Sequence, residues 1–333
     1  MTDKDLNALI FTPPSSMEKA GHGPNQILPE MVSDALAVAK SKQVETKNSI
    51  DADRQQNIPS SVAPDDTPRF EIVKLLRRME PRKPLMHKLG EYQLCDPDFQ
   101  QIHSWAKSLR MAPNVLLQTL AKTIYRSQYE DTIGSGTTFF VEHGRIKNVV
   151  WDFDALPIEE FRWQEGLRIE TLFFMGTPTA GIVLDIPSLL CLNVSYLDLT
   201  ELNLTGVPGL LVLFCRRNRL SKLDVSNHDY LEVLCCDYNQ IKELKFGTHM
   251  TIGILSCAEN KLESLNVSRL SSIESLWCGG NQISKLDLSN ARSLKTLSCT
   301  NNPIESLDIR QCSALKNFFK NSGVRVRRKA LSL

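Results

Sequence analysis

Between residues 210 and 309, apolar and polar positions recur with a period of 21 residues. Two columns define the period: Asn218, Asn239, Asn260, Asn281 and Asn302, and Cys215, Cys236, Cys257, Cys278 and Cys299. Aligned on these columns, each unit follows the template LxxLxCxxNxLxxLDVS. One such unit cannot bury its apolar face alone, so neighbouring units must stack. The pattern therefore predicts a solenoid in which each unit adds one short strand to a parallel sheet.

The template resembles the core motif of leucine-rich repeats, LxxLxLxxN/CxL, and the 21-residue form with Cys in the third apolar slot resembles bacterial members. The resemblance implies an α/β solenoid with a curved parallel β-sheet, in which the Asn side chains turn inward to bond the backbone. Weaker units extend the pattern toward the N-terminus, so we assign the solenoid to residues 136–323. A hairpin that turns at His143-Gly144 is predicted to cover its first strand. About nine units, at roughly 4.8 Å per strand, would span about 40 Å.

Residues 67–135 are predicted to form a small α-helical module. Asp96 is the predicted N-cap of a helix with Pro97 in its first position, and a second helix is predicted from Pro113. A shorter helix is predicted over residues 69–80. The apolar stripes of the two main helices are Phe99, Ile102, Ala106 and Leu109, then Leu117, Leu120, Ala121 and Ile124.

With the short strand before it, this helical pair loosely resembles ribbon-helix-helix DNA-binding domains. The strand would offer Glu91 and Gln93 to the major groove, with no Arg or Lys. Two interpretations remain, a helical cap or adaptor for the solenoid and a DNA-binding element.

The two ends of the chain differ in composition from the solenoid. Residues 1–66 contain a single aromatic, Phe11, among Ser, Pro, Gln, Asn and Asp, which predicts a disordered N-terminal arm. Within it, Leu28 to Val44 is a predicted helix, and a secretion or docking segment is the alternative interpretation of the arm. Residues 324–333 are predicted to be a basic C-terminal tail, either a solvated end or a weak contact with nucleic acid or membrane.

Charge and hydropathy narrow the functional classes. The net charge is +1, so no strong overall field attracts nucleic acid or anionic membrane. No run of 18 apolar residues predicts a membrane span, and the N-terminus lacks the pattern of a secretory signal peptide. We expect a cytoplasmic protein, or alternatively one secreted into a host cell by a signal-peptide-independent route.

The nine cysteines include no CxxC pair, and their odd number without a predicted signal peptide favours reduced thiols. Stacked in one column, five of them would point the same way inside an apolar core, unlike the four converging ligands of a zinc site. We therefore expect buried packing residues and no metal site. Disulfides along the column are possible by distance alone but geometrically awkward between in-register strands. Cys235, next to Cys236, is expected to face the opposite side and to be exposed.

The sequence contains no convincing catalytic constellation. None of the six histidines lies in HExxH, and no GxxxxGK[ST], GxGxxG or GxSxG occurs. Cys95 precedes a predicted helix, but no His partner is placed beside it, and acidic neighbours oppose thiolate formation. We expect a non-enzymatic protein without cofactor, metal or small-molecule substrate.

The predicted working surface is the concave face of the sheet, where strand residues between the core leucines point. Aromatic and arginine side chains there have the composition of protein-binding hot spots. The candidate partner-binding residues are Phe173, Phe214, Arg216, Arg217, Tyr238, Trp277 and Phe319. The function predicted first is binding of a protein partner, which the sequence does not identify. A secreted bacterial effector acting on a host protein through the same face is the first alternative, and DNA binding through the helical pair is the second.

Overall fold

The computed structural model describes residues 85–122, 139–159, 161–178, 182–248 and 250–328. These residues form a leucine-rich-repeat solenoid whose turns each add one strand to a ten-stranded sheet, parallel except at its first pair. Its strands in spatial order are β3 (Phe139–Glu142), β4 (Arg145–Asp152), β5 (Thr171–Met175), β6 (Cys191–Asn193), β7 (Val212–Phe214), β9 (Val233–Cys235), β11 (Ile254–Ser256), β13 (Ser275–Trp277), β15 (Thr296–Ser298) and β17 (Asn317–Phe319). The predicted arm, the helix over residues 69–80 and Ile124 lie outside the described residues.

The register of this sheet follows the 21-residue period. Leu255 pairs with Leu234 on one side and with Leu276 on the other. Equivalent residues of successive turns therefore stack in straight columns, and the column of leucines in mid-strand is fully buried in the core.

A second set of short strands closes the opposite side of the core. These strands pair in parallel as β8 (Lys222–Asp224) with β10 (Glu243–Lys245), β12 (Leu265–Asn266) with β14 (Leu286–Asp287), and β16 (Ser306–Asp308) with β18 (Arg325–Arg327). The central leucine of β8 and of β16 is buried between two exposed polar neighbours. The core is thus a slab between the ten-stranded sheet and this opposite wall.

The inward-facing asparagines predicted from the repeat are confirmed. Asn260 donates through Nδ2 to the carbonyl oxygens of Cys236, Cys257 and Ala258 at 3.0, 3.1 and 3.1 Å. Its Oδ1 accepts the backbone N–H of Ile241 at 2.9 Å. Asn218, Asn239, Asn281 and Asn302 are also buried and make equivalent bonds, so each links its own turn to the preceding one.

The predicted helical module packs on the first turns of the solenoid. A hairpin of β1 (Met86–Leu89) and β2 (Tyr92–Cys95) leads into α1 (Asp96–Ser108) and α2 (Pro113–Lys122). Trp105 of α1 contacts Trp151, Phe161 and Trp163 of the solenoid, with ring centroids 5.0, 6.3 and 5.8 Å apart. One hydrophobic core therefore runs from the helices into the repeats.

Hydrogen bonds and an ion pair also stabilise the contact between the helices and the solenoid. Asp98, fully buried, accepts the backbone N–H of Ile146 at 2.7 Å and lies 3.3 Å from Arg145 Nε. Burial raises the pKa of the Asp98 carboxyl, while the attraction of Arg145 opposes that rise. Gln101 donates to the Arg162 carbonyl at 2.9 Å and accepts from Gln164 N–H at 2.7 Å. These contacts support the interpretation of the helical pair as a cap.

Two details of the predicted helices are wrong. The N-cap of α1 is Cys95 and not Asp96, whose Oδ1 instead bonds the His87 ring at 2.8 Å. In α2, Ala121 is exposed and Leu116 is buried in its place, because the buried stripe is Leu116, Leu117 and Leu120.

The solenoid also extends beyond its predicted end at residue 323. Arg325–Arg327, assigned from the sequence to a basic tail, forms strand β18 and pairs with β16. Val326 pairs with Leu307, so the opposite wall continues by one more strand. Both arginines are exposed beside it.

A second apolar cluster on the concave face

The concave face carries a hydrophobic cluster separate from the core. Side chains alternate along a strand, so the residues on either side of each core leucine point away from the core. In β13, Leu276 belongs to the core, whereas Trp277 belongs to the second cluster. We call this cluster the concave stripe; its members are Val150, Phe173, Cys191, Val212, Phe214, Val233, Cys235, Ile254 and Trp277.

The concave stripe is buried almost completely. Phe173 and Trp277 are 1% exposed and Val233 is 0% exposed. Phe173, Phe214 and Trp277 thus lie on the face where the sequence places them, and all three are buried there. The polar Ser256 and Ser275 beside them are equally inaccessible, at 1% and 0%.

The cysteines on this face are also buried. Cys235 points away from the core, as predicted, but its predicted exposure is wrong, because it is 1% exposed. Desolvation raises the pKa of its thiol far above the usual value, with a further contribution from Asp237 and an opposing one from Arg216. Burial likewise raises the pKa of Cys191 to about 12. All nine cysteines are free and buried, and the five of the repeat column pack in the core.

A buried ion pair lies beside the concave stripe. Arg216 Nε is 2.9 Å from Asp237 Oδ2, and the Asp237 residue is 1% exposed. Asp237 Oδ1 also accepts the N–H of Ala258 at 3.0 Å and the hydroxyl of Ser256. Desolvation is the largest single influence and works to lower the pKa of Arg216, but the attractions of Asp237, Cys235, Tyr196 and Tyr238 together outweigh it and the pKa is raised. A fixed guanidinium and carboxylate therefore accompany the apolar surface.

A cation–π stack lies at the edge of the concave face, just after the ends of the strands. The Arg217 guanidinium lies 4.3 Å from the centroid of Tyr238 and 5.7 Å from that of Tyr196. All three residues occupy the repeat position before the Asn column and have left-handed φ angles of 50°, 55° and 64°. The same position holds Glu259, Gly280 and Asn301 in later turns, again with positive φ. The left-handed backbone at this repeat position thus sets the direction in which these side chains point.

The C-terminal end of the face is open. Phe319 on β17 is 37% exposed, and Asn317 on the same strand is exposed as well. Of the seven predicted residues, Arg216, Arg217 and Tyr238 are partly buried, and Phe319 lies apart from the concave stripe.

Sequence reasoning missed one column of the concave stripe. Val212, Val233 and Ile254 precede the core leucine of their strands and are 1%, 0% and 5% exposed. The signal was available, because three β-branched residues recur at the repeat period on a face where polar residues are expected.

The described residues also include the thiol and the metal-ligand residue types that the sequence raises as candidates for chemistry. No group of three or more His, Cys, Asp or Glu side chains in them is placed to hold a metal ion. Cys95 is 1% exposed, and its Sγ lies 3.6 Å from Met86 Sδ. Within the same residues, no helix has the length and apolarity needed to cross a membrane.

Comparisons with known proteins bear on the fold. No protein family matches the sequence, and no curated protein matches it. The functional domain of InlJ from Listeria monocytogenes, whose structure includes a cysteine ladder, is 20% identical over 71% of this chain and 62% of its own, with a TM-score of 0.42. YopM from Yersinia pestis, a leucine-rich effector protein, is 22% identical over 48% of this chain and 45% of its own, with a TM-score of 0.42.

A leucine-rich repeat protein from Bacteroides thetaiotaomicron is 14% identical over 76% of this chain and 38% of its own, with a TM-score of 0.38. The chain spans less than two thirds of the length of each of these proteins. A likeness of this degree assigns neither an activity nor a partner.

Proposed function

We propose that this protein is a non-enzymatic binding protein that holds a protein segment against the concave stripe. The observation that supports the proposal is the second apolar cluster itself. A solenoid needs only one core to fold, so a second apolar cluster on the other face of the sheet supports a role in holding another segment there.

The chemistry of this face favours a partner with an apolar side. Large aromatic and β-branched side chains supply contact area, and aromatic and arginine residues are enriched among binding hot spots. The Arg216–Asp237 pair and the Arg217–Tyr238 stack add fixed charges at the margin, which orient a partner more than they strengthen its binding. An amphipathic helix that crosses the strands along the concave stripe would contact its apolar side chains and also the charged groups at its margin.

The proposal is tested with a displayed library of helical peptides of about 20 residues, long enough to span the face. Selected peptides are measured against the full chain and against Phe214→Ala, which truncates the concave stripe. We expect the Kd to rise by about tenfold or more, as for a hot-spot side chain.

Leu213→Ala is the matched control, because Leu213 adjoins Phe214 in the chain but is fully buried in the core. It should lower the free energy of unfolding by about 2–5 kcal/mol and leave the Kd unchanged. Equal Kd values for the full chain and Phe214→Ala would place binding elsewhere. The helical cap, where Val115 is 44% exposed, would then be the next candidate.

A further inference from the structure

The C-terminal end of the solenoid presents open strand edges. Among the described residues, no strand pairs with the outer edge of β17 or of β18. In β18, the N–H of Arg325 donates to the Glu305 carbonyl at 2.9 Å. The carbonyl of Arg327 accepts the N–H of Ile309 at 2.9 Å. Backbone groups of successive strand residues point to alternate sides, so the N–H and C=O of Val326, between the two arginines, face the open edge.

The other wall of the core ends in the same way at β17. The N–H of Asn317 donates to the Lys295 carbonyl at 3.0 Å, which lies on the side of β15. The carbonyl of Phe319 accepts the N–H of Cys299 at 2.9 Å, also on that side. The backbone N–H and C=O of Phe318 therefore face the open edge. Each wall of the solenoid thus ends in one strand that can accept a further strand.

The apolar side chains of these two strands are only partly buried. Leu297 on β15 is 0% exposed, whereas its neighbour in register, Phe318, is partly exposed. Leu307 on β16 is 2% exposed, whereas its neighbour Val326 is partly exposed. In a solenoid each turn covers the apolar residues of the turn before it. A further strand on β18 would place one of its side chains beside Val326, as Val326 lies beside Leu307.

The last turn is also strongly basic. Residues 315–328 contain five Lys and Arg residues and no Asp or Glu, whereas residues 294–314 contain two basic and two acidic residues. Arg325 lies 3.9 Å from Glu305, but both side chains are at least 80% exposed, so water screens this pair. Asp308, which pairs with Arg327 in register, is bonded by Arg310. The open edge of β18 therefore keeps a positive charge.

This charge decides which partner fits the edge. Antiparallel pairing of β18 with a second copy about Val326 would place Arg325 of each chain opposite Arg327 of the other, and like charges directly opposite are destabilising. A nucleic acid would match the charge, but it has no side chain to extend the apolar column beside Val326. An extended protein segment in which acidic and apolar residues alternate matches the backbone edge, the apolar column and the charge.

We propose that β18 binds an extended acidic segment of a protein partner, which adds a strand to its open edge. In register, an apolar side chain of the segment lies beside Val326, and the acidic side chains before and after it face Arg325 and Arg327. None of these three residues belongs to the concave stripe. The edge is therefore a second interaction surface, independent of the one in the proposed function.

The proposal is tested by fluorescence anisotropy with a fluorescein-labelled peptide, SEVEVES, and the full chain. The peptide SEEVVES has the same composition without the alternation and is the control probe. Arg325→Glu/Arg327→Glu reverses the charge of the edge. Lys222→Glu/Lys242→Glu is the matched control, because these lysines are exposed at β8 and next to β10 of the same wall.

A third variant separates strand pairing from charge. Val326→Pro removes the outward N–H and none of the bonds to β16, and proline is tolerated where the N–H of an edge strand faces solvent. The urea midpoint of each variant is measured beside that of the full chain. If Val326→Pro does not fold, the control probe still separates pairing from charge.

We expect SEVEVES to bind the full chain saturably, and SEEVVES to bind about tenfold more weakly or less. Arg325→Glu/Arg327→Glu should raise the Kd of SEVEVES by about tenfold or more, because attraction becomes repulsion. Val326→Pro should raise it by a similar factor. Lys222→Glu/Lys242→Glu should leave it unchanged, and so should Phe214→Ala, which truncates the concave stripe.

Several results would overturn the proposal. The absence of saturable binding, or an unchanged Kd in Arg325→Glu/Arg327→Glu, would show that β18 takes no such segment. Equal Kd values for the two peptides would show attraction by charge without strand pairing. Tighter binding of a labelled oligothymidylate of similar charge would identify a nucleic-acid surface. A dimer of the full chain that Val326→Pro dissociates would show that the edge pairs with a second copy.

Discussion

Replacement of Asn260 by alanine tests how the solenoid satisfies its buried backbone. The Asn260 side chain makes four hydrogen bonds, three as donor and one as acceptor. The carbonyls of Cys236 and Cys257 each keep a second asparagine donor, at 3.0 and 3.0 Å, and that of Ala258 keeps the N–H of Tyr238 at 3.0 Å. The Ile241 N–H has no other acceptor among the described residues.

Asn260→Ala should therefore lower the free energy of unfolding by the cost of one buried, unpaired donor, about 1–3 kcal/mol. We expect urea denaturation to show a loss of about 2 kcal/mol, or a midpoint lower by roughly 0.7 M for a slope near 3 kcal/mol/M. Gln240→Ala is the control, because Gln240 is exposed and its side chain, among the described residues, only accepts a hydrogen bond from Lys261 Nζ at 3.1 Å. A midpoint for Asn260→Ala equal to that of Gln240→Ala would refute the assignment of the asparagines as backbone partners.

Two further predictions concern the cap and the pH dependence of stability. Trp105→Ala should cost about 3–5 kcal/mol in urea unfolding, whereas Trp105→Phe should cost less, since the buried indole N–H has no acceptor among the described residues. Equal losses of unfolding free energy in the two variants would contradict the packing of Trp105 in the cap. His228 is 3% exposed, its Nε2 lies 3.2 Å from the Leu204 carbonyl, and burial lowers its pKa. Its neutral form is favoured in the folded state, so stability should be present above about pH 6.5 and be lost as the pH falls below it. His228→Leu should reduce the difference between unfolding free energies at pH 7 and pH 5, and an unchanged difference would contradict a buried neutral imidazole.

The solenoid could be predicted from the sequence because the interactions that stabilise it repeat every 21 residues. A column of identical residues at one spacing fixes the strand register and the buried Cys without knowledge of any other element. The inward Asn was implied by the resemblance to leucine-rich repeats. The hairpin at His143-Gly144 was predictable for a similar reason, since its turn and its alternating strands are local signals.

The burial of the concave face could not be predicted in this way. The direction in which Cys235 and Trp277 point follows from strand alternation, but their exposure depends on what lies over the sheet. The repeat pattern contains no information about that. The N-cap was missed because the Asp96 side chain bonds the His87 ring on β1, a contact outside the helix.

The four tryptophans provide the most direct test of the concave face as the binding surface. Trp277 lies on that face, whereas Trp105, Trp151 and Trp163 lie together at the helical cap. In protein labelled with 5-fluorotryptophan, Trp277→Phe assigns the concave resonance in the ¹⁹F NMR spectrum. Addition of a selected partner should shift the Trp277 resonance and leave the other three in place. A shift confined to the cap tryptophans, with Trp277 unchanged, would contradict the account.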